Sequence, residues 1–174
     1  MVKILITGRP GIGKTTVIQK VLERVKPVAG GFFTEEIRER GNRLGFRVRD
    51  IHTGKEGILA HVEHRGGPRV GKYGVDVDSF EQIGVAALVE AMRREGCVVI
   101  DEIGKMELCS KAFREAVGKL MDSEHPVIAT IAAHDDPFLN ALRSRPDVEL
   151  VEVTASNRDE LAGRIIAVIC TEKK

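Results

Sequence analysis

The first residues that could do chemistry are residues 8–15, GRPGIGKT, which match the pattern GxxxxGK[ST] of a phosphate-binding loop. Its glycines let the backbone curl until successive N–H groups point at phosphate oxygens, and a helix that begins here adds its positive dipole end. Lys14 supplies a mobile cation for the β- and γ-phosphates, and the Thr15 hydroxyl is a hard oxygen ligand for Mg²⁺. The loop predicts nucleotide contacts at Gly8, Arg9, Pro10, Gly11, Ile12, Gly13, Lys14, Thr15 and Thr16.

The second candidate is an acidic pair, Asp101 and Glu102, which ends the apolar run at 97–100. In enzymes with such a loop, an acid at the end of a nearby strand holds Mg²⁺ opposite the loop hydroxyl. We therefore expect Thr15 and Asp101 to hold the metal ion. Glu102 would face the γ-phosphate and polarise a water for in-line attack. This arrangement predicts Lys14, Asp101 and Glu102 as the catalytic set.

The chain also contains cations that could neutralise the charge of a phosphoryl-transfer transition state. With 27 lysines and arginines, most of them are expected on solvated faces. Lys105 is favoured because it closely follows the acidic pair. The candidates are Arg9, Arg38, Arg43, Arg47, Arg69, Lys72, Lys105, Arg143 and Arg145.

A few polar and aromatic residues have two interpretations each. Thr130 and His134 lie at or just after the carboxyl end of the third apolar run, where a polar residue could sense the γ-phosphate, although a strand-end hydrogen bond is the favoured interpretation. Tyr73, Phe32 and Phe33 could stack on a base, but core packing is the favoured interpretation for the phenylalanines. Residues 157–158 lie where a base-contacting loop is often found, although capping of the last helix is the stronger interpretation.

Hydrophobic periodicity indicates the elements that position these groups. Apolar runs at 2–7, 97–101, 127–131 and 150–153 are typical of buried parallel strands. Amphipathic patterns at 14–25, 79–94, 110–121 and 157–168 predict helices. Strands that alternate with helices predict an α/β domain, a three-layer P-loop NTPase fold with a mostly parallel central sheet and helices on both faces. Ligands of such folds bind at the carboxyl ends of the strands, where both motifs fall.

The segment between the first and second helices has a different pattern. Residues 29–62 alternate in polarity around turns at 41–42 and 54, which predicts an antiparallel hairpin or small meander inserted into the fold. Residues 65–74 are rich in glycine and cations and are expected to form a loop. No repeat or linker divides the chain, so residues 1–174 are expected to be one domain.

Composition limits the possible partners. Hydrophobic residues make up 43% and charged residues 30% of the chain, and no run approaches the roughly 18 apolar residues that span a bilayer. We therefore expect no membrane and a cytoplasmic protein. The formal net charge of +1 does not favour nucleic acid as the main partner. Because the catalytic parts lie in one chain, a monomer is expected.

Together these motifs resemble the nucleoside-triphosphatase family of thermophilic bacteria and archaea, which has a human cancer-related relative. The resemblance rests on residues 8–16, GFFTEE at 31–36, RLGF at 43–46, VGKY at 70–73 and VVIDEIGKMEL at 98–108. It implies slow Mg²⁺-dependent hydrolysis of ATP, GTP, CTP and UTP, with broad base tolerance. It also implies nucleotide contacts at Val98, Val99, Ile100, Asp101, Glu102, Ile103, Gly104 and Lys105.

Two other classes of function stay open from the sequence. A small-molecule or nucleotide kinase would use the loop at 66–74 as a cationic lid and pass phosphate to an acceptor instead of water. A nucleotide-switched binding module would act on nucleic acid or protein through a basic patch on the hairpin and residues 65–72. Added acceptors or nucleic acid would distinguish both classes from a hydrolase.

Overall fold

Nine strands form one mixed sheet in the computed structural model, which describes residues 1–171. The spatial order is β5-β6-β4-β3-β2-β7-β8-β1-β9. The bounds are β1 Lys3–Thr7, β2 Val28–Glu39, β3 Asn42–Asp50, β4 Glu56–His61, β5 Arg69–Val70, β6 Tyr73–Val75, β7 Cys97–Ile103, β8 Val127–Ile131 and β9 Val148–Glu152.

One half of the sheet is parallel and carries both motifs. Strands β2, β7, β8, β1 and β9 pair in parallel, so their carboxyl ends meet at one edge. The phosphate-binding loop follows β1 and the acidic pair lies near the carboxyl end of β7, while β8 lies between these two strands. This arrangement confirms the predicted α/β fold and brings the two motifs to the same edge.

Helices cover both faces of the sheet, as predicted. The bounds are α1 Lys14–Arg24, α2 Val77–Phe80, α3 Ala86–Ala91, α4 Lys111–Met121, α5 Pro137–Arg143 and α6 Arg158–Thr171. Alternation along β1 sends Ile4 and Ile6 into a core with α1 and α6, and Leu5 into a second core with Phe80 and Phe113. Within residues 1–171, no helix is long and apolar enough to cross a membrane.

The predicted insertion at 29–62 needs a correction, because β2 is itself a strand of the parallel core. Its first half pairs with β7 and its second half pairs antiparallel with β3. Gly31, at a φ of 118°, makes the close approach to β7 possible, since a Cβ there would collide with the Val99 carbonyl. The short apolar run of β2 is interrupted by two glycines, which hid its core role in the sequence.

The antiparallel part extends further than predicted and includes the expected loop at 65–74. There, β5 and β6 form a tight hairpin at the far edge of the sheet, and β6 also pairs with β4. Tyr73 is buried, stacks edge-on against Phe46 and accepts a hydrogen bond from Arg43.

The next helical segment joins α2 to α3 through a π-helical stretch, Glu81–Val85. Its N-cap is Asp76, whose carboxylate accepts from the Ser79 N–H.

Candidate functional site

The phosphate-binding loop connects β1 to α1 through backbone that favours glycine. Gly13, the residue before α1, has a φ of 113°, and Gly11 has a φ of 75°. At Gly8, an added Cβ would lie 2.9 Å from the Val153 carbonyl oxygen, so the loop packs closely on the chain after β9. Lys14 Nζ donates to the carbonyl oxygens of Gly8 and Arg9, at 2.9 and 3.2 Å. The ammonium group is therefore held over the loop.

Two hydroxyl groups orient the Asp101 carboxylate. Thr15 Oγ1 at the start of α1 donates to Asp101 Oδ2 at 2.7 Å, and Thr130 Oγ1 of β8 donates to Oδ1 at 2.5 Å. Thr130 is fully buried, so its hydroxyl holds the end of β7 and is directed away from solvent. Of its two interpretations, the strand-end hydrogen bond describes the observed contact. This hydrogen bond contributes to the site because its acceptor is the Asp101 carboxylate.

The donor chemistry of this pair fits Mg²⁺. A hydroxyl and a carboxylate are hard oxygen ligands, and Mg²⁺ retains several waters, so two protein groups suffice. In the described residues, no cluster of three or more His, Cys, Asp and Glu offers an alternative metal site. Thr15 and Asp101 form a pair that could hold such an ion.

Burial changes the acidity of both residues of the acidic pair. It raises the pKa of Asp101, which is 3% exposed, although the hydrogen bonds from Thr130 and Thr15 and the charge of Lys14 oppose the shift. Burial also raises the pKa of Glu102, with Lys14 opposing the shift and Asp101 adding to it. A carboxylate whose pKa lies closer to neutrality is the stronger base. Glu102 is thus suited to accept a proton.

Two cavities meet at Lys14 and Glu102. The first, of about 590 Å³, lies between the loop and the antiparallel strands, where Thr34 and Phe46 line it. The second, of about 700 Å³, is lined by Thr7 and Glu152 at the ends of β1 and β9. Both are lined by Pro10, Lys14, Glu102, Ala132 and His134. A ligand at the junction of the cavities would contact both Lys14 and Glu102.

Most of the candidate cations are committed to other contacts. Glu36 binds Arg38 and Arg43, at 2.6 and 2.9 Å, and Glu56 binds Arg47 at 3.3 Å. Arg145 is held by two aspartates, and Arg69 donates to the Lys72 carbonyl. Arg143 donates to the carbonyl oxygens of Ala132 and His134 and supports the loop after β8.

Lys105 differs from these cations. Its side chain is exposed, lines the first cavity with Lys14 and Glu102, and makes no ion pair within residues 1–171. Arg9 lines the second cavity. Burial and the charge of Lys105 lower the pKa of His134, which lies between the two cavities. Lys105 is therefore the candidate cation that the fold places beside the acidic pair.

The residues considered for base recognition mostly make internal contacts. Phe32 is fully buried between Phe80 and Phe113, and Phe33 packs against the core on the opposite face. Asn157 Nδ2 donates to the Glu152 carbonyl, and its Oδ1 accepts from the Thr154 N–H. Its side chain ties the loop after β9 to the strand, and its backbone carbonyl accepts from the Leu161 N–H in the first turn of α6. None of these three side chains lines either cavity.

Several residues predicted from the resemblance lie in the core. Val98, Val99, Ile100 and Ile103 are fully buried, and the side chain of Ile12 packs against the core beside α1. These side chains line neither cavity, so they position the neighbouring acids and the loop instead of facing a ligand. Gly104 is also buried. Glu107, to which the sequence analysis gave no role, is a buried acid that lines the first cavity. The one sequence feature that could have pointed to it is an acidic residue within a mostly apolar segment.

Comparison with known families gives a match over nearly the whole chain. A family described as NTPase matches residues 3–166. A protein named nucleoside-triphosphatase THEP1 from Thermotoga sp. (strain RQ2) is 49% identical over 167 residues, covering 96% of this chain and 95% of that protein. A protein of the same name from Thermofilum pendens is 47% identical, covering 96% and 94%.

Two solved structures have the same fold. The crystal structure of THEP1 from Aquifex aeolicus has a TM-score of 0.88 and 40% identity, covering 97% of this chain and 99% of its own. The solution structure of a human cancer-related nucleoside triphosphatase has a TM-score of 0.84 and 37% identity, with both chains fully covered. These values extend the agreement from sequence to architecture.

Proposed function

This chain belongs to the NTPase family, and from that membership we propose that it converts a nucleoside triphosphate and water to the diphosphate and phosphate, using Mg²⁺. The relatives are named nucleoside-triphosphatases and match this chain over nearly its full length. Hydrolysis of nucleoside triphosphates is thus the activity of this enzyme. Its metal, mechanism and base preference are the finer parts of our proposal.

One observation carries the proposed mechanism: Lys14 and Glu102 line the same junction of two cavities, beside the Thr15–Asp101 pair. The loop and Lys14 bind the β- and γ-phosphates. Glu102 takes the proton of a water whose oxygen attacks the γ-phosphorus, and the bond from that phosphorus to the β-phosphate oxygen breaks. Bound to Thr15 and Asp101, Mg²⁺ would neutralise charge on the phosphate oxygens.

We also propose broad base tolerance. Specific recognition of a base needs polar groups that pair with its edge, since a site built on such hydrogen bonds rejects analogues that lack them. The side chains of Tyr73, Phe32, Phe33 and Asn157 are occupied by internal contacts. Discrimination among ATP, GTP, CTP and UTP is therefore expected to be small.

The direct test is phosphate release from ATP, GTP, CTP and UTP, with Mg²⁺ and with a chelator. We expect turnover of all four with Mg²⁺ and none with the chelator. Turnover of one nucleotide alone would contradict base tolerance, and unchanged rates in the chelator would contradict the metal assignment. Nucleotide binding without phosphate release would contradict hydrolysis.

The same assay addresses the two other classes of function. The predicted lid of a kinase is the β5–β6 hairpin, which is paired within the sheet. Four arginines of the β2–β3 hairpin that could bind nucleic acid, Arg38, Arg43, Arg47 and Arg49, are paired with Glu36 and Glu56. We therefore expect neither nucleosides and nucleoside monophosphates nor nucleic acid to change the yield of free phosphate.

Replacing Thr130 by valine should raise the Mg²⁺ concentration needed for half-maximal rate by about 10- to 100-fold. The change removes the buried donor that orients Asp101 and leaves its carboxylate with one hydroxyl partner. Thr130→Ser keeps the hydroxyl group and should behave as wild type. A magnesium titration of the rate measures the effect. If Thr130→Val and wild type need the same Mg²⁺ concentration for half-maximal rate, the assignment of Asp101 to metal binding is contradicted.

Replacing Lys105 by alanine should lower kcat by about 10- to 100-fold, because a cation near the γ-phosphate stabilises the charge of the transition state. Nucleotide affinity should change little, since Lys14 and the loop remain. Lys105→Arg keeps the charge and should recover most of the rate. Steady-state kinetics and nucleotide titration separate the two effects. A wild-type kcat in Lys105→Ala would assign this role to another cation.

A further inference from the structure

Glu107 is a buried carboxyl group that the proposed mechanism does not use. It opens the 3₁₀ turn Glu107–Cys109 and is 4% exposed, yet it lines the first cavity. The backbone N–H groups of Glu107 and Gly104 act to lower the pKa of this carboxyl group, against the larger effect of burial. No cation pairs with it in the part of the chain that the structure describes. A buried acid without a cation is costly to ionise.

Gly104 brings this group next to the proposed general base. A Cβ at Gly104 would lie 2.6 Å from Glu102 Oε1 and 3.0 Å from Glu107 Oε2. The two carboxyl groups therefore lie on the same side of Gly104, in the space that a side chain at position 104 would need. Both also line the first cavity, together with the cations Lys14 and Lys105.

We propose, on the premise that Glu102 is the general base of the proposed function, that Glu107 is a positioning residue that fixes the Glu102 carboxylate for attack by water. A neutral carboxyl group has one O–H to donate and a carbonyl oxygen to accept. In the proposed arrangement, the O–H of Glu107 is directed at the Glu102 carboxylate across the space beside Gly104, and its other oxygen faces the backbone of the turn. In this way Glu107 acts through Glu102 and does not touch the nucleotide.

The environment keeps Glu107 in that neutral form near pH 7. Burial, followed by the charge of Glu102, raises the pKa of Glu107 to about 8. Other titratable groups near it are Asp101 of β7 and Cys109 of its own turn, and the cations Lys14 and Lys105 line the same cavity. Above this pKa, Glu107 loses its donor and repels Glu102. Activity that depends on the donor should therefore fall as the pH rises through about 8.

The test compares Glu107→Gln with Glu107→Leu from pH 6 to pH 9.5, with kcat, KM and nucleotide binding measured for each. Glutamine keeps a donor and an acceptor at every pH, whereas leucine has a similar size and neither. We expect Glu107→Leu to lower kcat by about 10- to 100-fold with KM and binding nearly unchanged. Glu107→Gln should retain the wild-type kcat at pH 7 and lose the alkaline decline of the wild type.

Either of two results would overturn the inference: a wild-type kcat in Glu107→Leu, or an alkaline decline in Glu107→Gln equal to that of wild type. If Glu107→Leu does not fold, the pH profile of Glu107→Gln decides alone. Glu102→Gln, measured in parallel, separates this inference from its premise. An inactive Glu102→Gln beside an unaffected Glu107→Leu refutes only the positioning role, while an active Glu102→Gln refutes the general base and, with it, this inference.

Discussion

Replacing Glu102 by glutamine should lower kcat by about 10²- to 10⁴-fold and leave nucleotide binding intact. Glutamine has nearly the same shape as glutamate but cannot accept the proton of the attacking water. The loop and the Thr15–Asp101 pair remain, so the nucleotide and Mg²⁺ should still bind. Single-turnover phosphate release, measured beside a binding titration, distinguishes lost chemistry from lost affinity.

The matched control for this variant is Glu36→Gln. Glu36 also lines the first cavity, but it is paired with Arg38 and Arg43 on the wall opposite the loop. We expect Glu36→Gln to keep kcat within a few-fold of wild type. Similar losses in both variants would indicate a general effect of charge in the cavity. A Glu102→Gln enzyme as fast as wild type would contradict the proposed base.

Replacing Lys14 by alanine should weaken nucleotide binding by about 10- to 100-fold, because a hydrogen bond to a charged group is worth about 1.5–3 kcal/mol. Turnover should become undetectable, since the same ammonium group also stabilises the γ-phosphate oxygens during transfer. Among the described residues, the Lys14 ammonium group donates only to the loop carbonyls of Gly8 and Arg9. Its removal should therefore change the thermal stability little.

Lys20→Ala is the control for Lys14→Ala, because Lys20 lies exposed on the same helix and lines neither cavity. Isothermal titration with a non-hydrolysable nucleotide measures affinity, and thermal denaturation confirms folding. Wild-type affinity in Lys14→Ala would show that the phosphates bind elsewhere. Loss of nucleotide affinity in both variants would indicate that the substitutions disturb the whole of α1.

The sequence identifies the parts of this site that come from one local segment. A phosphate-binding loop needs its glycines, lysine and threonine at fixed spacing, because a single turn between β1 and α1 forms the whole cradle. The acidic pair is likewise adjacent in sequence and ends a continuous apolar strand. Local spacing therefore predicts Lys14, Thr15, Asp101 and Glu102 without knowledge of the strand order.

Contacts between distant segments could not be predicted in this way. Thr130 reaches Asp101 only because β8 lies between β1 and β7, an order that no local pattern reveals. The pairing of hairpin arginines with Glu36 depends on the register of β2 with β3. The burial of Glu107 depends on how the turn after β7 folds against the sheet. Periodicity also missed β2 as a core strand, because two glycines replace its apolar side chains.

Hydrolysis in ¹⁸O-labelled water with ATP and Mg²⁺ tests the central claim most directly, because it identifies both the nucleophile and the phosphorus that it attacks. If Glu102 directs water to the γ-phosphorus, the label should appear in inorganic phosphate and be absent from the diphosphate. The Glu102→Gln variant should lose this labelling of inorganic phosphate. Label in the nucleotide product, or release of pyrophosphate and monophosphate, would contradict the proposed attack on the γ-phosphate.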